Sequence, residues 1–180
     1  MKIFKFIFLL LIITPEALGN TIFKDNFKNP EKWLFITDQV MGGVSSGKVE
    51  FININNNLYA RMIGNVSTKN NGGFIQVRRK LEKLNLDGSK FIEIIAKGNN
   101  QNYFIHLRTL GTFLPWQYYQ ISFKVINDFK TFKLPINEFK RSSVFLSKNI
   151  NPKNITSIGI VAFGRDHYAD IYIKEINFTN

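Results

Sequence analysis

The chain has 180 residues, of which 44% are hydrophobic and 18 are Phe, and it carries a formal charge of +11 at pH 7 with no cysteine. Chain of this length and apolar content builds one core of its own, which excludes intrinsic disorder and makes a second domain unnecessary. The lack of cysteine excludes disulfides, thiolate metal sites and a cysteine nucleophile.

Met1 to Asn20 read as targeting. Lys2 and Lys5 precede the apolar run Phe6 to Ile13, and Thr14-Pro15-Glu16 lead to the small-residue site Ala17-Leu18-Gly19. The expected organisation is a secretory signal over 1–19 and a single domain over 20–180. The apolar run is far shorter than the roughly 20 residues that span a bilayer. The mature form is therefore expected to be soluble, not membrane-spanning, and periplasmic or extracellular in a bacterium. Its positive charge suggests anionic partners, yet Lys is spread from Lys24 to Lys174. The densest run, Arg78-Arg79-Lys80, lies inside an apparent strand and not on a basic arm, so nucleic acid is not expected as a partner.

Beyond the signal, apolar and polar residues alternate between clusters of Gly, Asn, Asp and Pro, the pattern of an all-β protein. Asn29-Pro30-Glu31-Lys32 and Asn151-Pro152-Lys153-Asn154 each suggest a helical turn, with Asn as cap and Pro next to it. Strands are expected over 48–54, 58–63, 73–80, 91–97, 103–109, 118–126, 131–134, 158–163 and 169–178, enough for a sandwich of two antiparallel sheets. Along the sixth, Tyr119, Ile121, Phe123 and Val125 should face the core, and Tyr118, Gln120, Ser122 and Lys124 the solvent or a groove.

The densest signal is Asp38-Gln39-Val40-Met41-Gly42-Gly43-Val44-Ser45, where adjacent glycines allow a tight turn whose amides Asp38 and Ser45 can satisfy. Asn71-Gly72-Gly73-Phe74 followed by Arg78 repeats the idea of a glycine turn entering a strand. Together with Leu107-Arg108-Thr109, Pro115-Trp116-Gln117-Tyr118-Tyr119, Leu134-Pro135 with Phe139, Ile158-Gly159-Ile160, Gly164-Arg165 and Ala169-Asp170, these motifs resemble, in order, the bacterial form of the complex I intermediate-associated protein 30 family. The resemblance runs from about Phe27 to Phe178. It implies a galactose-binding-domain-like jelly-roll sandwich and a non-enzymatic role, since mitochondrial relatives are assembly factors of respiratory complex I. An export signal places this chain across the membrane from that complex's peripheral arm.

Candidate binding residues are Asp38, Met41, Gly42, Gly43, Ser45, Asn71, Gly72, Gly73, Arg78, Arg108, Trp116, Tyr118, Arg165 and Asp170. Arg78, Arg108 and Arg165 are expected to gather with Asp38 around one polar pocket for an acidic group, floored by Trp116 and Tyr118. No catalytic residue, metal ligand or cofactor is assigned. Two histidines, His106 and His167, are too few for most zinc sites, and Ser45 lacks a nucleophile-elbow context. Asp25 and Glu175 are conceivable calcium ligands without a calcium-loop spacing, and Asp38, Glu93, Asp166 and Asp170 stay open as a glycosidase carboxylate pair. The leading expectation is a binding or assembly module for a protein partner; a carbohydrate-binding module is the alternative, with a glycan-processing enzyme behind both.

Overall fold

A computed structural model describes residues 19–180, so the expected signal lies outside the described residues apart from Gly19. Its strands are β1 (Thr21–Asp25), β2 (Trp33–Thr37), β3 (Ser46–Ile54), β4 (Asn57–Val66), β5 (Phe74–Lys80), β6 (Phe91–Gly98), β7 (Asn102–Thr109), β8 (Tyr119–Lys124), β9 (Lys130–Pro135), β10 (Lys140–Arg141), β11 (Ile155–Phe163) and β12 (His167–Thr179). All pairings are antiparallel. One sheet runs β3-β4-β12-β6-β9 with β1 also on β12; the other runs β10-β8-β7-β11-β5-β2.

Period-two alternation decides which side chains meet between the sheets. Ile92, Ile94 and Ala96 of β6 and Ile171 and Ile173 of β12 oppose Ile75 and Val77 of β5, Tyr103, Ile105 and Leu107 of β7 and Ile160 of β11, all buried in one cluster. Each fully buried Ile or Leu contributes on the order of 2 kcal/mol, so this two-sided apolar layer holds the sandwich closed. The alternation expected of β8 is present: Tyr119, Phe123 and Val125 are buried, while Gln120 is half-buried and Ser122 and Lys124 are exposed.

All nine expected strands form, within a few residues of their expected ends. Both Pro-led turns are short 3-10 turns, at Pro30–Lys32 and Pro152–Asn154. Three strands escape the sequence pattern. β1 and β10 are too short to show a period, and β2, Trp-Leu-Phe-Ile-Thr, is a continuous apolar run because exposed Leu34 and half-buried Ile36 share the outward face. β12 serves three partners: His167 to Ile173 pair with β4, Ile171 to Thr179 with β6, and its last residues with β1, with a register shift between Ile173 and Glu175.

Candidate functional site

The two glycine motifs close around one acid. Asp38 is fully buried, and its Oδ1 accepts from the Ser45 amide at 2.9 Å. Its Oδ2 accepts from the Ser45 hydroxyl at 2.5 Å, the Gly73 amide at 2.5 Å and the Phe74 amide at 3.2 Å. Burial pushes this carboxyl up, but the Ser45 hydroxyl and the amides of Gly73, Ser45 and Phe74 outweigh it, so Asp38 stays below the ordinary carboxylate range. Gly43 and Gly72 flank the carboxylate so closely that a Cβ on either would overlap it, and Gly42, at φ +86, ends the 3-10 turn Asp38–Met41 in the left-handed region. Asp38 thus ties the β2–β3 connection to the start of β5. Met41, exposed, and Asn71, at φ 56, lie at the surface of the same junction.

Arg78, Arg108 and Asp170 do not gather around Asp38. The junction lies where β5 begins, whereas Arg108 stands opposite Ser157, itself opposite Lys80 where β5 ends. The Arg108 guanidinium donates to the carbonyls of Thr112 and Leu114 at 3.0 Å and of Pro115 at 3.3 Å, organising the β7–β8 loop. Arg165 follows Gly164, whose amide donates to the Gly73 carbonyl at 2.9 Å, so its turn adjoins the junction, but its guanidinium donates to Gln101 Oε1 at 2.6 Å and not to Asp38. Asp170 belongs to the other sheet, in a two-pronged pair with Arg61 at 2.9 and 3.0 Å. Only Arg78 and Arg108 approach each other: burial and the neighbouring Arg78 charge lower the Arg108 pKa, and both line one hollow.

The outward face of the second sheet is unlike a solvated one. Across its central strands the register sets Gln120, His106, Gly159 and Arg78 in one row, with Phe104, Val161 and Gln76 in the next. Tyr118 lies flat on His106, ring centroids 4.1 Å apart at 8°, and Phe163 meets Phe104, His106 and Tyr118 edge-on at 5.7 to 6.4 Å. His106 Nε2 and Gln120 Oε1 are both buried, on residues directly opposite each other in the β7–β8 pairing. Burial lowers the His106 pKa to about 4 against an opposing interaction with the Gln120 side chain, so the ring is neutral at pH 7. Sequence reasoning singled out Tyr118 here but missed Phe104, His106 and Phe163. The outward alternation Phe104-His106-Arg108 along β7 was the available signal.

Trp116 is not on this face. It belongs to the β7–β8 loop with Leu110, Phe113 and Leu114, beside Val144 and Phe145 of the segment after β10; Trp116, Phe113 and Phe145 are 62%, 83% and 89% exposed. Ser142 binds the two segments together: its hydroxyl donates to the Trp116 carbonyl at 2.8 Å and accepts from the Tyr118 amide at 2.9 Å.

The remaining acids are engaged separately. Asp166 accepts from the Thr68 amide and hydroxyl, Glu93 lies 3.5 Å from the Lys133 ammonium, and Glu175 pairs with Lys24 at 2.5 Å. Asp25, a conceivable calcium ligand, instead forms a buried pair with Arg79 and accepts from Trp33 Nε1 at 3.1 Å and the Phe27 amide at 2.8 Å. Among the described residues no group of three His, Asp or Glu side chains is placed to hold a metal ion, and no helix is long and apolar enough to cross a membrane.

Solved structures of similar fold include carbohydrate-binding modules. The family 11 module of the cellulosomal cellulase Lic26A-Cel5E of Clostridium thermocellum superposes with a TM-score of 0.69 at 13% identity, over 90% of this chain and 95% of that one. The Clostridium thermocellum family 11 module in complex with a β-1,3-1,4-mixed-linked tetrasaccharide gives 0.69 at 14% identity, over 92% and 98%. A family 30 carbohydrate-binding module gives 0.54 at 12%, over 74% and 73%. At such identities the likeness shows the fold alone, a jelly-roll sandwich. No curated protein matches the chain. The sequence profile of the complex I intermediate-associated protein 30 family matches residues 23–172, so the chain belongs to that family.

Proposed function

We propose that this protein is a non-catalytic, exported binding module whose ligand face is the outward face of the second sheet, and that the face takes a glycan chain. The observation that carries this reading is the face itself: half-buried rings of Phe104, His106, Tyr118 and Phe163 interleave with the amides of Gln76 and Gln120. Sugars offer apolar ring faces for stacking and hydroxyls for amides, so such a surface suits them better than it suits water. The shared fold with a module solved in complex with a β-1,3-1,4-mixed-linked tetrasaccharide adds support by analogy only. Affinity electrophoresis against a panel of soluble polysaccharides tests it: at least one should retard the wild type, and Tyr118→Ala should abolish the retardation without lowering the melting temperature. A folded wild type that no polysaccharide retards ends the reading.

A second reading, a protein partner, is favoured by a different observation. Phe113, Trp116 and Phe145 are exposed apolar side chains on two segments that Ser142 joins at the loop end of the second sheet, the kind of surface that marks protein contacts. The assembly role that the family name records would use this end. Export rests on the segment 1–19, and mass spectrometry of the mature N-terminus, expected at Asn20, tests it.

A further inference from the structure

The arginines of the described residues are nearly all accounted for. Arg61 is paired with Asp170 and Arg79 with Asp25, Arg108 and Arg141 hold loop carbonyls, and Arg165 is bonded to Gln101. Arg78 is the exception: among the described residues its guanidinium has neither an ion pair nor a hydrogen bond. It stands on the outward face of the second sheet, one strand in from the edge, between Leu34 of edge strand β2 and Gly159 of β11, neither of which can compensate a charge.

Around it lies a hollow of about 130 Å³ lined by Arg78, Lys80, Glu82, Arg108, Thr156 and Ser157. Three cations meet one acid there, and Glu82 lies 3.8 Å from the Lys80 ammonium with both side chains well exposed, a contact of little strength. Arg108 is fixed by the loop carbonyls it holds and cannot swing away from Arg78. Two guanidinium groups kept together without a carboxylate between them repel each other, and an anion seated between them removes that cost. Thr156 and Ser157, two hydroxyl residues, complete the lining.

The hollow lies on the same outward face as the aromatic surface. Arg78 and His106 are both opposite Gly159, so their Cα atoms are two strand spacings apart, roughly 10 Å. Over Gly159 lies the Gln76 side chain, whose Oε1 is 3.1 Å from where a Cβ would stand, so an amide bridges the two.

We propose that this hollow is a subsite for the acid group of an acidic glycan, a carboxylate or sulfate carried by a sugar whose neighbours in the chain lie against the Tyr118 and His106 rings. The proposal rests on the glycan reading of the face and narrows it to anionic polysaccharides. Arg78 provides the unspent forked donor, and Arg108 the fixed positive wall.

Titration calorimetry tests it with three probes: neutral mixed-linked β-glucan, polygalacturonate and dextran sulfate, each at 20 mM and at 500 mM salt on the order of the range in which screening becomes strong. At low salt at least one acidic probe should bind on the order of tenfold more tightly than the neutral one, and the gap should close at high salt; which acidic probe wins tells carboxylate from sulfate. Arg78→Gln should shrink the gap to near unity with an unchanged melting temperature. Lys174→Gln, the same charge change on β12 of the other sheet, should leave it intact. An equal loss in both variants would mean that overall positive charge, not this hollow, draws acidic chains, and would overturn the subsite, as would a gap that survives Arg78→Gln. If only the neutral probe binds, the subsite fails while the glycan reading stands; if the folded protein binds none, both fail.

Discussion

Asp38 is an acid that solvent does not reach, surrounded by four donors and two glycines that leave it room. Removing it strands the amides of Gly73 and Ser45 in a dry place, and each such loss costs about 1–3 kcal/mol. Asp38→Ala should therefore lower unfolding stability by about 3 kcal/mol or more in urea titrations. A loss below about 0.5 kcal/mol would mean the loops hold without it. Gly43→Ala should be costly as well, because its Cβ would overlap the carboxylate and the turn would have to shift. The sequence showed that these residues act together, since both motifs combine glycines with an acid or amide. It did not show that the acid faces inward, because which end of the sandwich meets which loop is decided only when β2 pairs with β5.

His106 carries a second consequence at the same scale. Its pKa falls from an ordinary 6.5 to about 4 on folding, chiefly through burial. Between those values the unfolded chain binds the proton and the native one does not, so stability falls as pH drops from about 6.5 toward 4, by up to about 3 kcal/mol for this one group. Asp38, whose pKa is also lowered, adds to the loss only below about pH 4. Chemical denaturation across pH 4 to 7 should show a slope of this sign that His106→Gln flattens. An unaltered slope in that variant would place the proton-linked step elsewhere.

At the scale of elements, β1 is five residues long and holds the domain's opening segment to the end of β12. It also reaches across the core: Asp25 ends β1 in one sheet, and Arg79 points inward from β5 of the other, with Trp33 of β2 sharing the carboxylate. Breaking one partner of such a buried pair leaves an uncompensated charge and costs about 3–5 kcal/mol, whereas replacing both can cost far less. Asp25→Leu should thus melt well below Asp25→Leu combined with Arg79→Met, with differential scanning calorimetry as the measurement. Equal melting of the two would show that the ion pair is not what joins the sheets here. Strand content was legible wherever four or more residues alternated, as in β7 and β8. This tie was not, because Arg79 sits in the run Arg78-Arg79-Lys80, where alternate residues point to opposite sides and composition alone cannot say which is buried.

At the scale of the whole molecule, the second sheet offers two surfaces with separate chemistry. Its outward face combines rings, amides and arginine, and its loop end presents bare apolar side chains. The expectation of a single pocket uniting Asp38, Trp116 and Tyr118 had merged them, since in sequence Trp116 and Tyr118 are two residues apart. In the structure Trp116 stays in the loop, while Tyr118 folds back onto His106. Phe113 and Phe145 lie outside the core and are mostly exposed, so Phe113→Ser with Phe145→Ser should change stability by no more than about 0.5 kcal/mol per site. Removing both exposed rings nonetheless erases much of the apolar surface that a protein partner would bury, and central aromatic contacts commonly carry about 2 kcal/mol or more of binding, roughly thirtyfold in affinity. In pull-downs from the native envelope fraction, a partner retained by the wild type should be lost from the double variant but kept by Tyr118→Ala, and polysaccharide retardation should show the opposite pattern. If both variants lost both ligands, the two surfaces would be one site; if the double variant kept its partner, the loop end would not be where proteins dock.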